Sequence, residues 1–355
     1  MDQYLRAKPC SSRRSGALTQ VIVDMIALDL RPINIVNGIG FQRLLRVADS
    51  SYALPFATRI TSLLRKKWDE GKRCLKGLIA DACGMALTTD LWTSNATESY
   101  VTVTSHHIDD NWNMLSLVLE TSRFSKHHTA ENIGRELVRV AENEQIVELI
   151  SAVTHNEAAN MVAAMRVALE SAVVQHELQS HQWQSVVCAA HRLQTCIRYA
   201  LEVDEVTSTI SCARKLVGHF RHSAKATMAL MKEQKERNNP ERKLIQDVST
   251  RWNSTYYMLD RLINQHMPVV AVLNDKSVSK KGDPSLDLTP HQWILAEDLV
   301  STLKPFESAT RLLSSEKNVL ISAVLTIIYG LWKGVIVNTK DSKPIKAMRR
   351  ILLLS

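Results

Sequence analysis

The 355-residue sequence contains few chain-breaking residues, with 11 glycines and 9 prolines, and only 5% of its residues are aromatic. Hydrophobic residues make up 45% of the chain and charged residues 23%. This composition excludes a collagen-like, low-complexity or disordered chain, because enough apolar surface is present to form packed cores. The length is sufficient for two domain cores of ordinary size.

The six cysteines form no C-x-x-C pair and no tight cluster; they are Cys10, Cys74, Cys83, Cys188, Cys196 and Cys212. This spacing predicts reduced thiols, since disulfide frameworks and zinc ribbons need closely matched pairs. The longest uncharged apolar run, Asn318–Trp332, is shorter than the roughly 20 residues that span a bilayer. Residues Ala17–Leu30 lack a signal-peptide cleavage pattern, so we expect a protein that stays inside the cell, without a membrane span.

Positive charge is unevenly distributed along the chain. The formal net charge is +8, and residues 1–76 alone contain 14 Lys and Arg against 6 Asp and Glu. A second basic stretch, Arg214–Lys243, contains nine Lys or Arg against three Glu. Such clusters attract phosphate backbones without sequence preference. The alternative is that these side chains only solvate helix faces, so charge alone favours a nucleic-acid partner weakly.

The first 80 residues alternate short amphipathic patterns with breakers at Arg31-Pro32, Asn37–Gly40 and Leu54-Pro55. This alternation predicts a small, basic helical module over residues 1–80. Three runs then follow with strand character, Ala86–Trp92, Tyr100–Thr104 and Met114–Leu119. Short polar links join them, which predicts an antiparallel meander.

Strands and helices alternate after the meander. A helix capped by Thr129 precedes a strand at Leu149–Thr154, and a further helix precedes a strand at Ser185–Ala189 and its following helix. The order β-β-β-α-β-α-β-α is that of the α/β, ribonuclease H-like fold, in which helices flank a mixed sheet. We assign this core to residues 81–200.

The strand pattern stops near residue 200. Apolar residues at spacings of three and four predict one long helix over residues 203–237, and further helices near 253–273, 291–314 and 319–334. We therefore predict an all-helical insertion domain over residues 201–340 and leave 341–355 unassigned.

Four segments carry a family resemblance: Leu87–Ser94, Val153–Met161, Cys188–Leu193 and Asp247–Leu259. In order and spacing they resemble blocks of the hAT-superfamily transposases, and most closely those of the zinc finger BED-type proteins. The resemblance covers residues 17–335. It implies a ribonuclease H-like core interrupted by an all-helical insertion, in agreement with the pattern of strands and helices.

In active members of that superfamily, three acids hold two divalent cations for cleavage of DNA, and Mg²⁺ prefers such oxygen ligands. By position, Asp90 resembles the first acid, whereas His155 stands in place of the second. Imidazole suits softer metals. Because the sequence ends at Ser355 before a third-acid block, we predict no enzyme activity and no cofactor, Mg²⁺ being needed only if the site were functional.

Two further family motifs are present. Cys188 and His191 form the Cys-x-x-His motif, and Arg251 and Trp252 form the Arg-Trp motif associated with handling a flipped base. The N-terminal BED finger is not expected, because Cys10 has no partner at zinc-ligand spacing. The predicted DNA-binding residues are Arg214, Lys215, Arg221, Lys225, Arg251 and Trp252, and no metal site is predicted.

Each of these residues also has a plainer structural interpretation. Asp90 is either vestigial or a metal ligand, and Trp252 either packs the insertion against the core or stacks on a base. Cys188 and His191 are either a packing thiol with a hydrogen-bonded histidine or zinc ligands. Glu157 is a weak candidate for a substitute acid, and Asp247 is expected to cap a helix that begins near Thr250.

The sequence therefore favours a catalytically inactive, transposase-derived protein of the nucleus that acts as a DNA- or chromatin-associated transcriptional regulator or scaffold. Its expected partner is DNA, bound mainly through the phosphate backbone; protein partners and homodimerisation stay open, because the C-terminal dimerisation block is absent. The alternatives are a truncated remnant without a biochemical role and an active transposase.

Overall fold

The structure is a computed structural model, and it describes residues 10–176, 183–275, 278, 286–315 and 321–354. Its described residues form two compact units. One contains those within Met1–Val153 and Val167–Gln184, and the other those within Thr154–Arg166 and Ser185–Ser355. No helix of the described part is long and apolar enough to cross a membrane. All six cysteines are free thiols.

The N-terminal module consists of helices α1 (Ser12–Leu28), α2 (Ile39–Ala48) and α3 (Ala57–Ala80), with a short 3₁₀ turn at Ile33–Asn37. The breaks between helices fall at the predicted Pro and Gly positions, since Pro cannot continue a helix and Gly weakens it. A small core of buried side chains holds the module together; it comprises Ile22, Val23, Ile26, Val36, Tyr52 and Ile60. The predicted helical module is confirmed.

Five strands form one mixed sheet in the order β3-β2-β1-β4-β5. They are β1 (Met85–Thr93), β2 (Ser99–Ile108), β3 (Met114–Arg123), β4 (Ile150–His155) and β5 (Gln184–Val187). Strands β1, β2 and β3 are an antiparallel meander. The accompanying helices are α4 (Ala130–Asn143), α5 (Ala159–His176) and α6 (Ala189–Ala200). This order confirms the predicted ribonuclease H-like core.

Helix α4 shows how the local sequence produces these elements. The Thr129 side chain accepts a hydrogen bond from the backbone N–H of Asn132 and so caps the helix. Ile133, Leu137 and Val140 follow at helical spacing, and all three are buried. The predicted cap and apolar face are both confirmed.

The edge strand β3 carries a β-bulge. Val103 of β2 is opposite Glu120, while Thr104 is opposite Val118, so Leu119 is the extra residue on β3. The Nζ of Lys72 in α3 donates a hydrogen bond of 2.9 Å to the Leu119 carbonyl and also pairs with the buried carboxylate of Glu144. One lysine thus ties α3 to the bulge and to the end of α4, and it occupies a backbone acceptor at the sheet edge.

A layer of helices makes up most of the remaining described residues. Its members are α7 (Asp204–His222), α8 (Ala224–Glu236), α9 (Trp252–Asn264), α10 (His266–Asn274), α11 (Pro290–Leu313), α12 (Ile321–Gly334) and α13 (Lys343–Leu354). The predicted single helix over 203–237 is wrong, because the chain breaks at Ser223, whose hydroxyl caps α8 at the N–H of Ala226. The apolar spacing continues across the break since α7 and α8 bury faces of one core.

Two further predictions need correction. The helix predicted over 253–273 is two helices, α9 and α10, separated at Gln265. The C-terminal residues beyond 340, for which the sequence pattern predicts no element, contain α13, which buries Pro344, Ile345 and Met348. The sequence does not predict this helix because its last residues, Ile351–Leu354, are all hydrophobic and therefore show no helical periodicity. The predicted boundaries at residues 80, 200 and 340 stay predictions.

We expect Lys72→Ala to lower the free energy of unfolding by about 2–4 kcal/mol, because it leaves the buried Glu144 carboxylate without its cation and the Leu119 carbonyl without its donor. Urea denaturation measures the change. Lys76→Ala, one turn further along α3 at an exposed position, is the control, with an expected change below about 0.5 kcal/mol. Equal losses in both variants would contradict the role given to Lys72.

Candidate functional site

The side chain of His155, at the position of the second acid, lies inside the protein. His155 is the last residue of β4 and is 1% exposed. Its Nδ1 lies 2.7 Å from the carbonyl oxygen of Asn156, and its Nε2 lies 2.9 Å from the hydroxyl of Ser185. Because a carbonyl oxygen only accepts, Nδ1 carries a proton, and in the neutral ring Nε2 accepts from the hydroxyl. Both ring nitrogens are therefore engaged in hydrogen bonds within the chain.

The Cys-x-x-His motif lies beside this histidine. The backbone N–H of Cys188 donates a hydrogen bond of 2.8 Å to the carbonyl of His155, which joins the end of β4 to the start of α6. A hydrogen bond with His191 lowers the pKa of the Cys188 thiol, an effect that exceeds the opposing effect of burial. The structure thus brings the replaced acid position and this motif together, and the geometry agrees with a packing thiol and a hydrogen-bonded histidine.

Glu157, the candidate for a substitute acid, is engaged in a contact with a neighbouring helix. Its carboxylate forms an ion pair with Arg192 on α6. The neighbouring Asn156 side chain accepts a hydrogen bond from the N–H of Ala158, just before α5. The two residues that follow His155 therefore organise the turn from β4 into α5 and its contact with α6.

Asp90 lies in β1, opposite Thr102 of β2, and is exposed. Next to it on the same strand pair, Trp92 stacks on Tyr100 at 4.8 Å between ring centroids and donates a hydrogen bond to the Thr102 hydroxyl. Asp90 is accessible to solvent, but the hydroxyl and aromatic groups beside it on β1 and β2 include no second carboxylate.

These residues do not fit the two-metal centre of active transposases. Mg²⁺ requires several oxygen ligands, whereas His155 offers nitrogens that already have hydrogen-bond partners. Throughout the described residues, no group of three or more His, Cys, Asp or Glu side chains is arranged to hold a metal ion.

Arg214 forms an ion pair with the buried carboxylate of Asp247, and its contact with phosphate stays a prediction. Its Nε lies 3.0 and 2.8 Å from the two carboxylate oxygens of Asp247, and Thr255 donates a third hydrogen bond to the same carboxylate. The Asp247 side chain is only 2% exposed. Burial by itself raises the pKa of Asp247, but the hydrogen bonds from Arg214 and Thr255 outweigh it, so the pKa lies below its usual range.

Asp247 does not cap the following helix, in contrast to the prediction. Helix α9 begins at Trp252 with Arg251 as its N-cap, and no side chain makes a capping hydrogen bond there. The carboxylate instead turns toward α7, because the bidentate pair with a guanidinium is stronger than a hydrogen bond to one backbone N–H. Through these hydrogen bonds Asp247 links Arg214 of α7 to Thr255 of α9.

Trp252 is buried within the helical layer, which corrects its place in the predicted DNA-binding set. The residue is 3% exposed and belongs to the main hydrophobic core of this unit. It lines a cavity of about 150 Å³ together with Arg198 and Arg214. Its indole N–H is buried without a hydrogen-bond partner among the described residues. This position agrees with the packing alternative, since an enclosed ring offers no face on which a base could stack.

The remaining predicted DNA-binding residues are exposed: Lys215 and Arg221 on α7, Lys225 on α8, and Arg251 just before α9. Arg221 and Lys225 flank the break at Ser223 that the sequence pattern missed. Their contact with phosphates stays a prediction.

Two structural contacts had no signal in the sequence. Ser185 is an ordinary strand residue until the fold brings it to His155, and the family segment that contains Asp247 gives no sign of its pairing with Arg214. Both contacts join residues 30 or more positions apart. Local periodicity and capping rules do not reach over such distances.

Two family models match the chain. Residues 88–183 match the ZBED1 RNase-like domain, and residues 186–302 match the ZBED1 RNase-like helical domain. The chain belongs to the hAT-transposase-derived zinc finger BED family. The family resemblance and the ribonuclease H-like fold predicted from the sequence are both confirmed.

Individual relatives of this zinc finger BED family member include proteins from animals, fungi and plants. The chain is 27% identical to human zinc finger BED domain-containing protein 4, over 94% of its own length and 28% of the relative's. It is 27% identical to the "Putative transcriptional regulator tpeD" of Talaromyces stipitatus, over 86% of the chain and 39% of the relative. It is 28% identical to the "Putative AC transposase" of Zea mays, over 80% and 35%. The chain thus spans about a third of the length of these relatives.

We expect His155→Asp to destabilise the protein rather than to restore a working acid. The new carboxylate would lie against the Asn156 carbonyl without a donor between them, at a cost of about 2–4 kcal/mol. His155→Asn is the matched control, because its amide keeps a donor for that carbonyl and its loss should be smaller. The free energy of unfolding in urea measures both, and an Asp variant as stable as wild type would refute the described hydrogen bonding.

We expect Arg214→Ala to lower the free energy of unfolding by about 2–4 kcal/mol, since it leaves Asp247 buried and unpaired. Lys215→Ala, at the adjacent exposed position, should change it by less than about 0.5 kcal/mol. Equal values for the two variants would show that the ion pair has no structural role.

Stability should also depend on pH through Asp247. Because the folded-state pKa of this carboxyl is depressed, its contribution is fully present above the unfolded-state value of about 3.9 and is lost as the pH falls through the lower folded-state value. The wild type should therefore lose more stability than Asp247→Asn between about pH 4 and pH 2. Thermal unfolding across this pH range measures the difference, and parallel curves would contradict it.

Proposed function

We propose that this chain is a non-catalytic protein that associates with DNA or chromatin in the nucleus and serves as a transcriptional regulator or scaffold built on a transposase core. The observation that carries the proposal is His155, buried at the position of an essential acid with both ring nitrogens hydrogen-bonded inside the chain. A protein with a structural histidine in place of an oxygen ligand keeps its fold but lacks a ligand that metal-dependent DNA cleavage requires.

Association with DNA is supported by the charge that is left on the surface. The side chains of Lys215, Arg221, Lys225 and Arg251 are exposed in the unit that contains Arg214. Exposed Lys and Arg bind phosphate backbones through counterion release, without reading base sequence. The proposed binding is therefore backbone-dominated and sensitive to salt.

The names of the relatives support the same class of function. One is named as a putative transcriptional regulator and another as a putative transposase. Transcriptional control would require no acid at the position of His155. The proposed function does not require the exposed carboxylate of Asp90.

The test is binding of a labelled 30-base-pair duplex to the purified chain over a series of salt concentrations. We expect log affinity to fall linearly with log salt. The combined charge reversal Lys215→Glu, Arg221→Glu and Lys225→Glu should weaken binding by about tenfold or more and flatten the slope. Asp90→Ala should bind like wild type, and no cleavage should occur with Mg²⁺ or Mn²⁺.

The matched control reverses three other exposed lysines of the same unit, Lys304, Lys340 and Lys343. Both triple variants change the net charge by the same amount. A larger loss of DNA affinity in the first variant would therefore place DNA binding at Lys215 and Arg221 on α7 and Lys225 on α8. Equal effects would refute that placement. Absence of binding at low salt would support an inert remnant, and cleavage lost with Asp90→Ala would support an active transposase.

A further inference from the structure

A groove lies between helix α3 and the edge strand β3. Its volume is about 900 Å³, within the range of sites that bind ligands. One wall is a single face of α3, with residues at helical spacing from Trp68 to Lys76. The other wall is Val118–Ser122 of β3, and Glu144 at the end of α4 completes the lining. An open strand edge beside a groove is a surface to which an extended peptide can add as a further strand.

The outer edge of β3 presents backbone groups that the sheet does not use. The Phe124 N–H donates a hydrogen bond of 2.8 Å to the Ser99 carbonyl of β2, which marks a hydrogen-bonded pair of the ladder. Because such pairs alternate along antiparallel strands, Thr121 and Arg123 direct their N–H and C=O groups away from β2. Among the described residues, these four groups have no hydrogen-bond partner. The edge therefore offers two donors and two acceptors.

One point of this edge is already occupied. At the bulge, the Leu119 carbonyl accepts its hydrogen bond from Lys72, whose Nζ also lies 5.9 Å from the centre of the Trp68 ring. A bulge and a lysine are two of the devices that protect strand edges from pairing. Here they block pairing at Leu119 and leave the stretch from Thr121 to Arg123 open.

The charges of the groove narrow the choice of partner. Glu144 is paired with Lys72, and Glu120 is paired with Arg139. Lys76 is exposed and forms no ion pair within the described part of the chain. The groove therefore has one cation to offer and no uncompensated carboxylate. Its electrostatic complement is an acidic side chain.

The other end of the α3 wall is apolar. Trp68 is 63% exposed and Val118 is 59% exposed, and both line the groove. Trp68 and Lys76 are eight residues apart, which is about 12 Å along a helix axis. An extended chain covers this distance in about four residues, and residues four apart on a strand lie on the same face. A peptide with an apolar side chain and a carboxylate four residues apart thus matches both ends.

We propose that this groove binds a partner protein through an extended acidic segment, which adds to β3 as a further strand. The backbone of the segment pairs with Thr121 and Arg123. Its apolar side chain contacts Trp68 and Val118, and its Asp or Glu, four residues away, pairs with Lys76. The backbone pairing supplies affinity, and the two side-chain contacts supply selectivity.

Selection of random nine-residue peptides, displayed on phage, against the full chain tests the proposal. Enriched sequences should be rich in β-branched residues and should contain an apolar residue and an Asp or Glu four positions apart. Fluorescence anisotropy of labelled synthetic copies then measures affinity. Lys76→Glu should raise the dissociation constant by about tenfold or more, and a peptide with Lys in place of its acid should bind this variant again.

The matched control for Lys76→Glu is Lys66→Glu. Lys66 is another exposed lysine of α3, and it lies outside the lining of the groove. Its reversal changes the net charge equally but should change the dissociation constant by less than about twofold, because salt screens charges at that distance.

Thr121→Pro tests the backbone pairing. The substitution removes the outward N–H without removing a hydrogen bond of the ladder, and proline is tolerated at such edge positions. Peptide binding should be lost in Thr121→Pro and kept in Thr121→Ala, which retains the N–H. In the wild type, the bound peptide should slow hydrogen exchange at the Thr121 and Arg123 amides, a measurement that does not depend on the folding of a variant.

Three results would overturn the proposal: a selection that yields no binding peptide, equal peptide affinity in the wild type and Lys76→Glu, or protection of amides elsewhere than on β3. Self-association of the chain that Thr121→Pro abolishes would also overturn it, since β3 of a second copy would then be the occupant of the edge.

Discussion

The hydrogen bonds around His155 are the constraint on which the functional interpretation of this chain depends. Its ring joins the end of β4 to Ser185 in β5, and its carbonyl accepts the N–H of Cys188 at the start of α6. Three elements therefore meet at one buried residue. An acid at this position needs water and cations around it, whereas a histidine with two partners needs burial. At the position predicted for the second acid, the chain thus has a buried histidine that links three elements.

The positive charge of the chain has two different uses, which only the contacts distinguish. Lys72 and Arg214 belong to basic stretches, yet each faces a carboxylate with almost no exposure, Glu144 and Asp247 respectively. These cations offset the cost of burying the acids and connect elements that are distant in sequence. Lys215 and Arg221 remain at the surface, where they are available to phosphate.

The helical layer combines a closed core with one open face. Trp252, although part of a family motif, is enclosed in that core, while Trp332 lies on the exposed side of α12. For Trp252 the neighbours belong to the same unit. The Trp332 side chain is 52% exposed.

Sequence patterns by themselves determined the class of fold. The three strands of the meander, the cap at Thr129 and the strands before and after α5 follow from periodicity and capping, which are properties of short segments. The family motifs likewise placed Asp90, His155, Cys188 and Trp252 in order along the chain. Local patterns did not reveal the break at Ser223, because both helices bury apolar faces in one core and the spacing continues across it. Nor did they reveal α13, whose terminal residues are all hydrophobic.

Tertiary structure alone decided which neighbours these residues have. The pairing of Arg214 with Asp247 and that of His155 with Ser185 each depend on a partner 30 or more residues away. Such pairs are set by how whole elements pack, and packing is a sum over the entire core rather than a property of any segment. The sequence therefore identified the candidate site residues, and the tertiary fold determined which residues contact each of them.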